Sequence, residues 1–488
     1  MGALNGLYPE AVFTAFEQIC AIPHGSYHID AISDHLKAFA EKQGYECIQD
    51  AEKNILVRVP AFPPAYRQDP VLILQGHMDM VAVHDDPSVD MSVTPVKVGY
   101  EGDWVYAEHS SLGGDDGIAV AMMMAIMQDK TIPHPPLELL ITTNEEVGMD
   151  GAVGLDASLL RGKRLLNLDS EDEGIFTVGC AGGVRVVARL PFAVSGEETH
   201  VNGLLVRIRI RGGQGGHSGQ MIHLGRANAN RLLMRALEAL ATESGAALQE
   251  LNGGTACNAI PAEAEMCVII ERDKLDEATA CLRRIREQFC AEYREKDPEV
   301  GLEWDDAETG AVVESRTSAA YAQKLARMVL AEPDGVQAVC KEPAGLTETS
   351  LNLGILRIEG DAVAAYFELR SMKGAAAEEL RDKVASIARE NGADTEISAS
   401  YPEWEYREKS PLRDKMVKIY REQFGKDPVV EVIHAGLECG VLAKKIEDFD
   451  AVSIGPDMQD IHTTREKLNI ASVGRTWEFV LEILKRKD

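Results

Sequence analysis

No two cysteines of this chain stand in a Cys-X-X-Cys pair; the nine are scattered singly and odd in number. That excludes a sulfur-ligated zinc module, argues against a disulfide framework, and fits reduced thiols in a cytoplasmic protein. Long apolar runs are also missing. The longest, GIAVAMMMAIM at 117–127, falls far short of the ~20 residues that cross a bilayer. Positive charge is in deficit: the net charge of -29 argues against nucleic acid and against anionic membranes, because both need clustered cations. The N-terminal MGALNGLYPEAVF has no basic stretch ahead of an apolar core, so no secretory signal is expected. Gly6 stands where a myristoylation pattern requires Ser or Thr. GxSxG, HExxH and P-loop patterns are absent, which speaks against serine hydrolases, zincins and nucleotide hydrolases.

What is present is an ordinary globular mixture, 45% hydrophobic and 26% charged over 488 residues. Such a chain makes about three units of ~150 residues, or one large domain with an insert. Residues 8–43 carry helical periodicity on both sides of an IPHGSYH loop. PVLILQ, LELLITT and RLLNLD are short continuous apolar runs of the kind that form strands buried on both faces. Between them, DDGIAVAMMMAIMQD reads as a helix with carboxylates in its first turn. Strand and helix in alternation predict an α/β fold with a mostly parallel, helix-covered sheet, whose ligands bind beyond the carboxyl ends of its strands. From about residue 190 the pattern changes to alternating strands such as LLVRIRIRGG and amphipathic helices. A strand–helix–strand–strand–helix order reads as written twice before residue 397, where the α/β pattern of the first section resumes. The expected organisation is a catalytic domain at 1–190 and 397–488, interrupted by a large inserted α+β lid domain at 191–396.

Four predicted strand ends carry acid or imidazole groups: His77 and Asp79 in GHMDM, Asp115 and Asp116 in GGDDG, Glu145 and Glu146 in NEEVG, and Asp169 with Glu171, Asp172 and Glu173 in NLDSEDEG. Singly, each has a plain structural reading as a helix cap, a solvated face or a turn. Jointly, they bring too many carboxylates to one sheet edge to stay unpaired, and like charges at that range either take up protons or bind a cation. A pair of divalent metals satisfies them. Imidazole with carboxylate makes zinc the leading candidate, with manganese and cobalt open. Adjacent glutamates diverge, so one can ligate while its neighbour faces a water, a division that suits metal-assisted hydrolysis.

GHMDMV, SLGGDDGIAVA, TNEEVGMDGA, NLDSEDEG, VGCAGG, GGHSG, NAIP, HAGLECG and SIGP occur in that order. Together they resemble the aminoacyl-histidine dipeptidases (cytosol non-specific dipeptidases, peptidase D), of the di-zinc superfamily that includes peptidase V, peptidase T and carnosinase. The similarity runs from about residue 10 to about 485. It implies a zinc-exopeptidase fold and two sites sharing one bridging carboxylate: His77, Asp115 and Asp169 for one ion, Asp115, Glu146 and His462 for the other. It further implies Asp79 as the residue orienting His77, Glu145 as general base, and a cis peptide between Asp115 and Asp116. Relatives often have a Gly-Pro step before the last histidine, where this chain reads DMQDIH; His434 in HAGLECG is the nearest competitor.

In the insert, the resemblance matches His217 to a histidine that stabilises the oxyanion, and Asn258 to a substrate-binding asparagine. Arg370 in ELRSM looks like a clamp for a substrate carboxylate. The function expected is hydrolysis of small dipeptides with a free N-terminus, including Xaa-His substrates such as carnosine. The alternatives are a deacylase or carboxypeptidase acting on N-acyl amino acids, and a non-catalytic metal-binding protein on the same scaffold. A homodimer through the insert remains open, as does whether His217 serves its own chain or a partner's.

Overall fold

A computed structural model describes residues 2–192, 200–305, 312–341 and 345–487. The chain divides into two compact units: Met1–Cys180 with Trp404–Ile433 and Leu437–Asp488, and Ala181–Glu403 with His434–Gly436. Among the described residues no helix is long and apolar enough to cross a membrane.

The first unit is built on an eight-stranded sheet. Its order is Glu46–Gln49, Ile55–Val59, Leu137–Thr142, Leu72–His77, Arg164–Asn167, Asp450–Ser453, Ile175–Cys180, Val429–Ile433. The centre, from Leu137–Thr142 to Asp450–Ser453, is parallel. The pairings of the first two strands are antiparallel. Continuous apolar runs form these central strands because both faces are covered, so alternate side chains enter different cores. Leu72 and Leu74, Leu137 and Leu139, and Leu166 pack into one core. Ile73, Leu140 and Leu165, their sequence neighbours, pack into another.

The helix Gly114–Gln128 is buried from Gly114 to Met127, which accounts for its apolar run without a polar face. It packs on the helix Glu10–Cys20 and on the strand Leu72–His77. A small four-stranded sheet, Met458–Gln459, Lys467–Asn469, Trp104–Ala107 and Val98–Glu101, also belongs to this unit. Sequence patterning did not signal it, since its strands are two to four residues long.

Among the described residues the second unit carries a ten-stranded antiparallel sheet with four helices: Ala229–Glu243, Leu275–Glu292, Ala319–Ala331 and Gly374–Glu390. With the short strands Gly216–His217, Ala259–Ile260 and Gly301–Trp304 set aside, the elements follow the order strand, helix, two strands, helix in two stretches. His200–Arg211, Ala229–Glu243, Ala247–Gly253, Ala264–Ile270 and Leu275–Glu292 are followed by Val313–Ser318, Ala319–Ala331, Thr347–Glu359, Ala362–Ser371 and Gly374–Glu390, with Gly335–Val339 added at the sheet edge. The two runs share one sheet, joined where Asn252 and Gly253 pair with Arg357 and Leu356.

Candidate metal centre

The parallel strands end on one rim. His77 closes the strand Leu72–His77 and pairs in register with Thr142, the last residue of its neighbour. From that neighbour the chain runs straight into the turn Glu145–Val147. Asp169 follows the strand Arg164–Asn167 by two residues. Asp115 lies in the entry to the helix Gly114–Gln128, with non-helical dihedrals and a cis peptide to Asp116. Gly76 permits this crowding: a β-carbon there would run into the Asp116 carboxylate.

His77 Nε2 stands 3.2 Å from Asp115 Oδ1 and 3.4 Å from Asp169 Oδ1. The other oxygen of Asp115 is 3.1 Å from His462 Nε2, which in turn is 3.0 Å from Glu146 Oε1. One carboxylate therefore shows its two oxygens to two imidazoles, the geometry of a bridging ligand. Donor atoms of His77, Asp115 and Asp169 all lie within 4.8 Å of one another, and so do those of Asp115, Glu146 and His462. His462, held at a left-handed φ of 62°, is the histidine of the second group. Its competitor His434 is in neither group; it belongs to the second unit, where its Nε2 meets Ser350 Oγ at 2.7 Å.

The surroundings dispose the rings and the carboxylates. His77 Nδ1–H donates to the main-chain oxygen of Asp79 at 3.0 Å, which leaves the Nε2 lone pair facing Asp115 and Asp169. The Asp79 carboxylate is 3.6 Å from that ring. It accepts from Ser26 Oγ at 2.8 Å and from the Glu145 N–H at 3.1 Å, so it also sets the backbone that bears Glu145. Glu466, four residues after His462, accepts four consecutive main-chain N–H groups. Leu112 and Gly113 donate to Oε2 at 2.9 and 3.2 Å; Gly114 and Asp115 donate to Oε1 at 2.8 and 3.4 Å. The loops that carry Asp115 and His462 are thereby tied together. Sequence reading passed over Glu466; the only signal was its place at the end of HTTRE.

The electrostatics test whether cations fit. Burial drives the Glu145 carboxyl well above its usual range, and drives Asp169 to about 7 despite the nearby His77. Glu146 is raised by burial and by Asp115. His462, although partly buried, is pushed up to about 11 by Asp115 and Glu146. Glu146 Oε1 is buried with the His462 imidazole, 3.0 Å away, facing it. Left to itself, this cluster must take up protons to remain folded around its own charges. Two divalent cations would discharge it with ordinary ligands, and a mixed imidazole–carboxylate set suits zinc.

Three expected residues lie in the second unit. Gly216–His217 pairs with Ala259–Ile260 in a two-stranded ribbon, and Ser218 N–H donates to Asn258 O at 2.8 Å, so GGHSG and NAIP are neighbours. Gln220 N–H donates to His217 Nδ1 at 3.0 Å, which in the neutral ring leaves the proton on Nε2. Buried Asp297 holds the loop at both ends, accepting from Gln214 N–H and Ala227 N–H. Arg370 is 4% exposed on the strand Ala362–Ser371 and donates to the Tyr401 hydroxyl at 2.7 Å. It is a buried guanidinium, unlike the surface charge that an alternating strand usually offers.

An α/β unit with paired carboxylate–imidazole clusters at its strand ends has the architecture of the metal-dependent exopeptidases. The chain belongs to the peptidase family M20/M25/M40, whose profile matches residues 73–486. It is similar to the cytosol non-specific dipeptidase of Escherichia coli (strain K12), with 35% identity over 493 residues and 99% of each chain covered. Among solved structures it resembles the aminoacylhistidine dipeptidase of Vibrio alginolyticus, with a TM-score of 0.81, 32% identity and coverage of 99% and 98% of the two chains. The aminopeptidase PepT of Bacillus cereus ATCC 10987 shares the fold at a TM-score of 0.54 and 17% identity, with 98% of each chain covered.

Proposed function

We propose that this protein is a cytoplasmic two-metal dipeptidase that cleaves dipeptides with a free N-terminus, Xaa-His among them. The observation that carries the reading is Asp115, whose two carboxylate oxygens face His77 and His462, with Glu145 held beside them by Asp79. The names of the Escherichia coli and Vibrio alginolyticus relatives support the dipeptide as substrate. His77, Asp115 and Asp169 would hold one ion, and Asp115, Glu146 and His462 the other, zinc being the ion that best suits the donors. Bound there, the ions supply Lewis-acid polarisation of the scissile carbonyl and acidify a water.

The remaining work falls to the chain. Glu145 takes a proton from the attacking water as its oxygen bonds to the carbonyl carbon. His217 donates its Nε2 proton in a hydrogen bond to the oxyanion that forms. As the C–N bond breaks, Glu145 returns the proton to the leaving amine. Arg370 clamps the substrate's terminal carboxylate, a bidentate anchor being the natural use of a buried arginine, and Asn258 is a substrate-binding residue.

Replacing Glu145 with Gln removes the base and keeps the metal ligands. Turnover of a dipeptide should fall by roughly 10²–10⁴-fold, as for loss of a general base, with metal content unchanged. Substantial residual turnover would eliminate Glu145 as the base. A panel of dipeptides beside N-acetyl amino acids tests the substrate class: cleavage of the acetylated compounds alone would make the protein a deacylase.

A further inference from the structure

The centre stands on a buried polar floor that the ligand set does not include. Gln75, Asn167 and Ser453 occupy one register row across three neighbouring parallel strands, and all three are fully buried. They continue the strand face on which Ile73, Leu165 and Ala451 join the second core of this unit. Asn167 Nδ2 donates to Gln75 Oε1 at 2.6 Å, and Ser453 Oγ donates to Asn167 Oδ1. Asn167 Oδ1 also accepts the N–H of Asp169 at 3.3 Å. The row ends on Glu438, the first residue of the helix Glu438–Lys445. Its Oε2 accepts from Gln75 Nε2 and from Thr142 Oγ1, each at 2.5 Å. Its Oε1 is buried with no hydrogen-bond partner. Gln75 lies two residues before His77, and Asn167 two before Asp169. In the strand Leu72–His77 that spacing puts Gln75 on the same face as His77, while Asp169, just past the end of its strand, is tied to Asn167 by its own N–H.

We infer that Glu438 is a positioning residue for the His77–Asp115–Asp169 site, holding through Gln75 and Asn167 the two strand ends from which His77 and Asp169 project. The inference rests on reading the centre as a metal site. Both donors converge on a single oxygen of Glu438, so position is what the site takes from it. A glutamine retains an oxygen there; an alanine removes the close acceptor and leaves only the longer contacts, Gln75 Nε2 to Thr142 Oγ1 at 3.3 Å and Thr142 Oγ1 to the Gly76 main-chain oxygen at 3.2 Å.

The test is zinc titration of the chelator-stripped full chain against a chromophoric competitor. The wild type should take up two equivalents. E438A should keep one tight equivalent and bind the other about 10–100-fold more weakly, the usual effect of removing a partner behind a ligand, whereas E438Q should stay within about threefold of wild type at both sites. Q75M, which cuts the row at nearly constant volume, should show the same selective loss and serves if E438A does not fold. Either of these variants, with a native near-UV circular dichroism spectrum and wild-type uptake of both equivalents, would overturn the positioning role. So would an E438Q as weak as E438A, because charge and not position would then be what matters. A wild-type chain that takes up no zinc would overturn the metal reading itself.

Discussion

Asp115 illustrates how much one side chain does here: its two oxygens face two imidazoles, while its main-chain N–H is held by Glu466. Glu466 in turn matches a carboxylate to a run of four backbone donors, a concave arrangement of N–H groups that favours an anion. E466Q replaces one oxygen with an amide nitrogen that faces two of those donors. The expected loss is about 2–4 kcal/mol of unfolding free energy in urea, from buried donors left unmet, together with weaker zinc uptake. A change below ~0.5 kcal/mol, the scale of an ordinary surface substitution, would mean that water replaces the lost acceptor. Of the candidate ligands, His77 and Asp169 could be picked out in the sequence because His77 ends LILQGH and Asp169 follows RLLN, whereas Asp115 opens a helix and His462 is reached through the resemblance alone. Glu466 and Glu438 could not be picked out. Their partners Gly113 and Gln75 lie 353 and 363 residues away, and no local period encodes such a contact.

Helix Ala319–Ala331 shows what an element can leave uncompensated. Arg231 caps its carboxyl end, donating to the main-chain oxygens of Val329, Leu330 and Glu332, and pairs with Asp334. The Glu332 side chain is buried beside it with neither oxygen hydrogen-bonded. Burial pushes that carboxyl up to about 8 from its ordinary 4.5, against the pull of Arg231 and Lys383. Between those two values the folded chain keeps a proton that the unfolded chain releases, so this group's contribution to stability falls as pH rises and stays low above 8. E332Q should therefore match wild type near pH 5 and exceed it at pH 9 by roughly 1–3 kcal/mol, the scale of one unpaired buried polar group. Thermal unfolding at the two pH values reads this directly; equal gains at both would point to packing and not to charge. The principal strands and helices were legible because their apolar periods are strong. The four-stranded side sheet was not, because its short strands from residues 98–107 and 458–469 acquire meaning only when they pair.

If the two clusters hold cations, the whole chain links metal to folding. A cation bound by the native clusters alone stabilises by mass action, about 2.7 kcal/mol for each site at a concentration a hundred times its Kd. Chelation should thus lower the unfolding temperature and zinc should restore it; indifference to chelator would speak against the cation centre. The route of His217 is tested by mixing two inactive variants, E145Q and H217A. We propose that the large insert lets His217 serve its own chain, so the mixture should remain inactive. Recovery of activity at concentrations that favour association would instead show that a partner supplies the histidine.

The order of apolar runs, and the acids and imidazoles at their ends, already determined an α/β fold with a cation-seeking rim, because strand burial and ligand type are local properties. Which oxygen meets which imidazole, that His462 and not His434 joins the second group, and that glutamates hundreds of residues away hold the rim in place were decided only by tertiary structure. Hydrogen bonds act over about 3 Å, and the neighbours at that distance are chosen by how the sheet is wound.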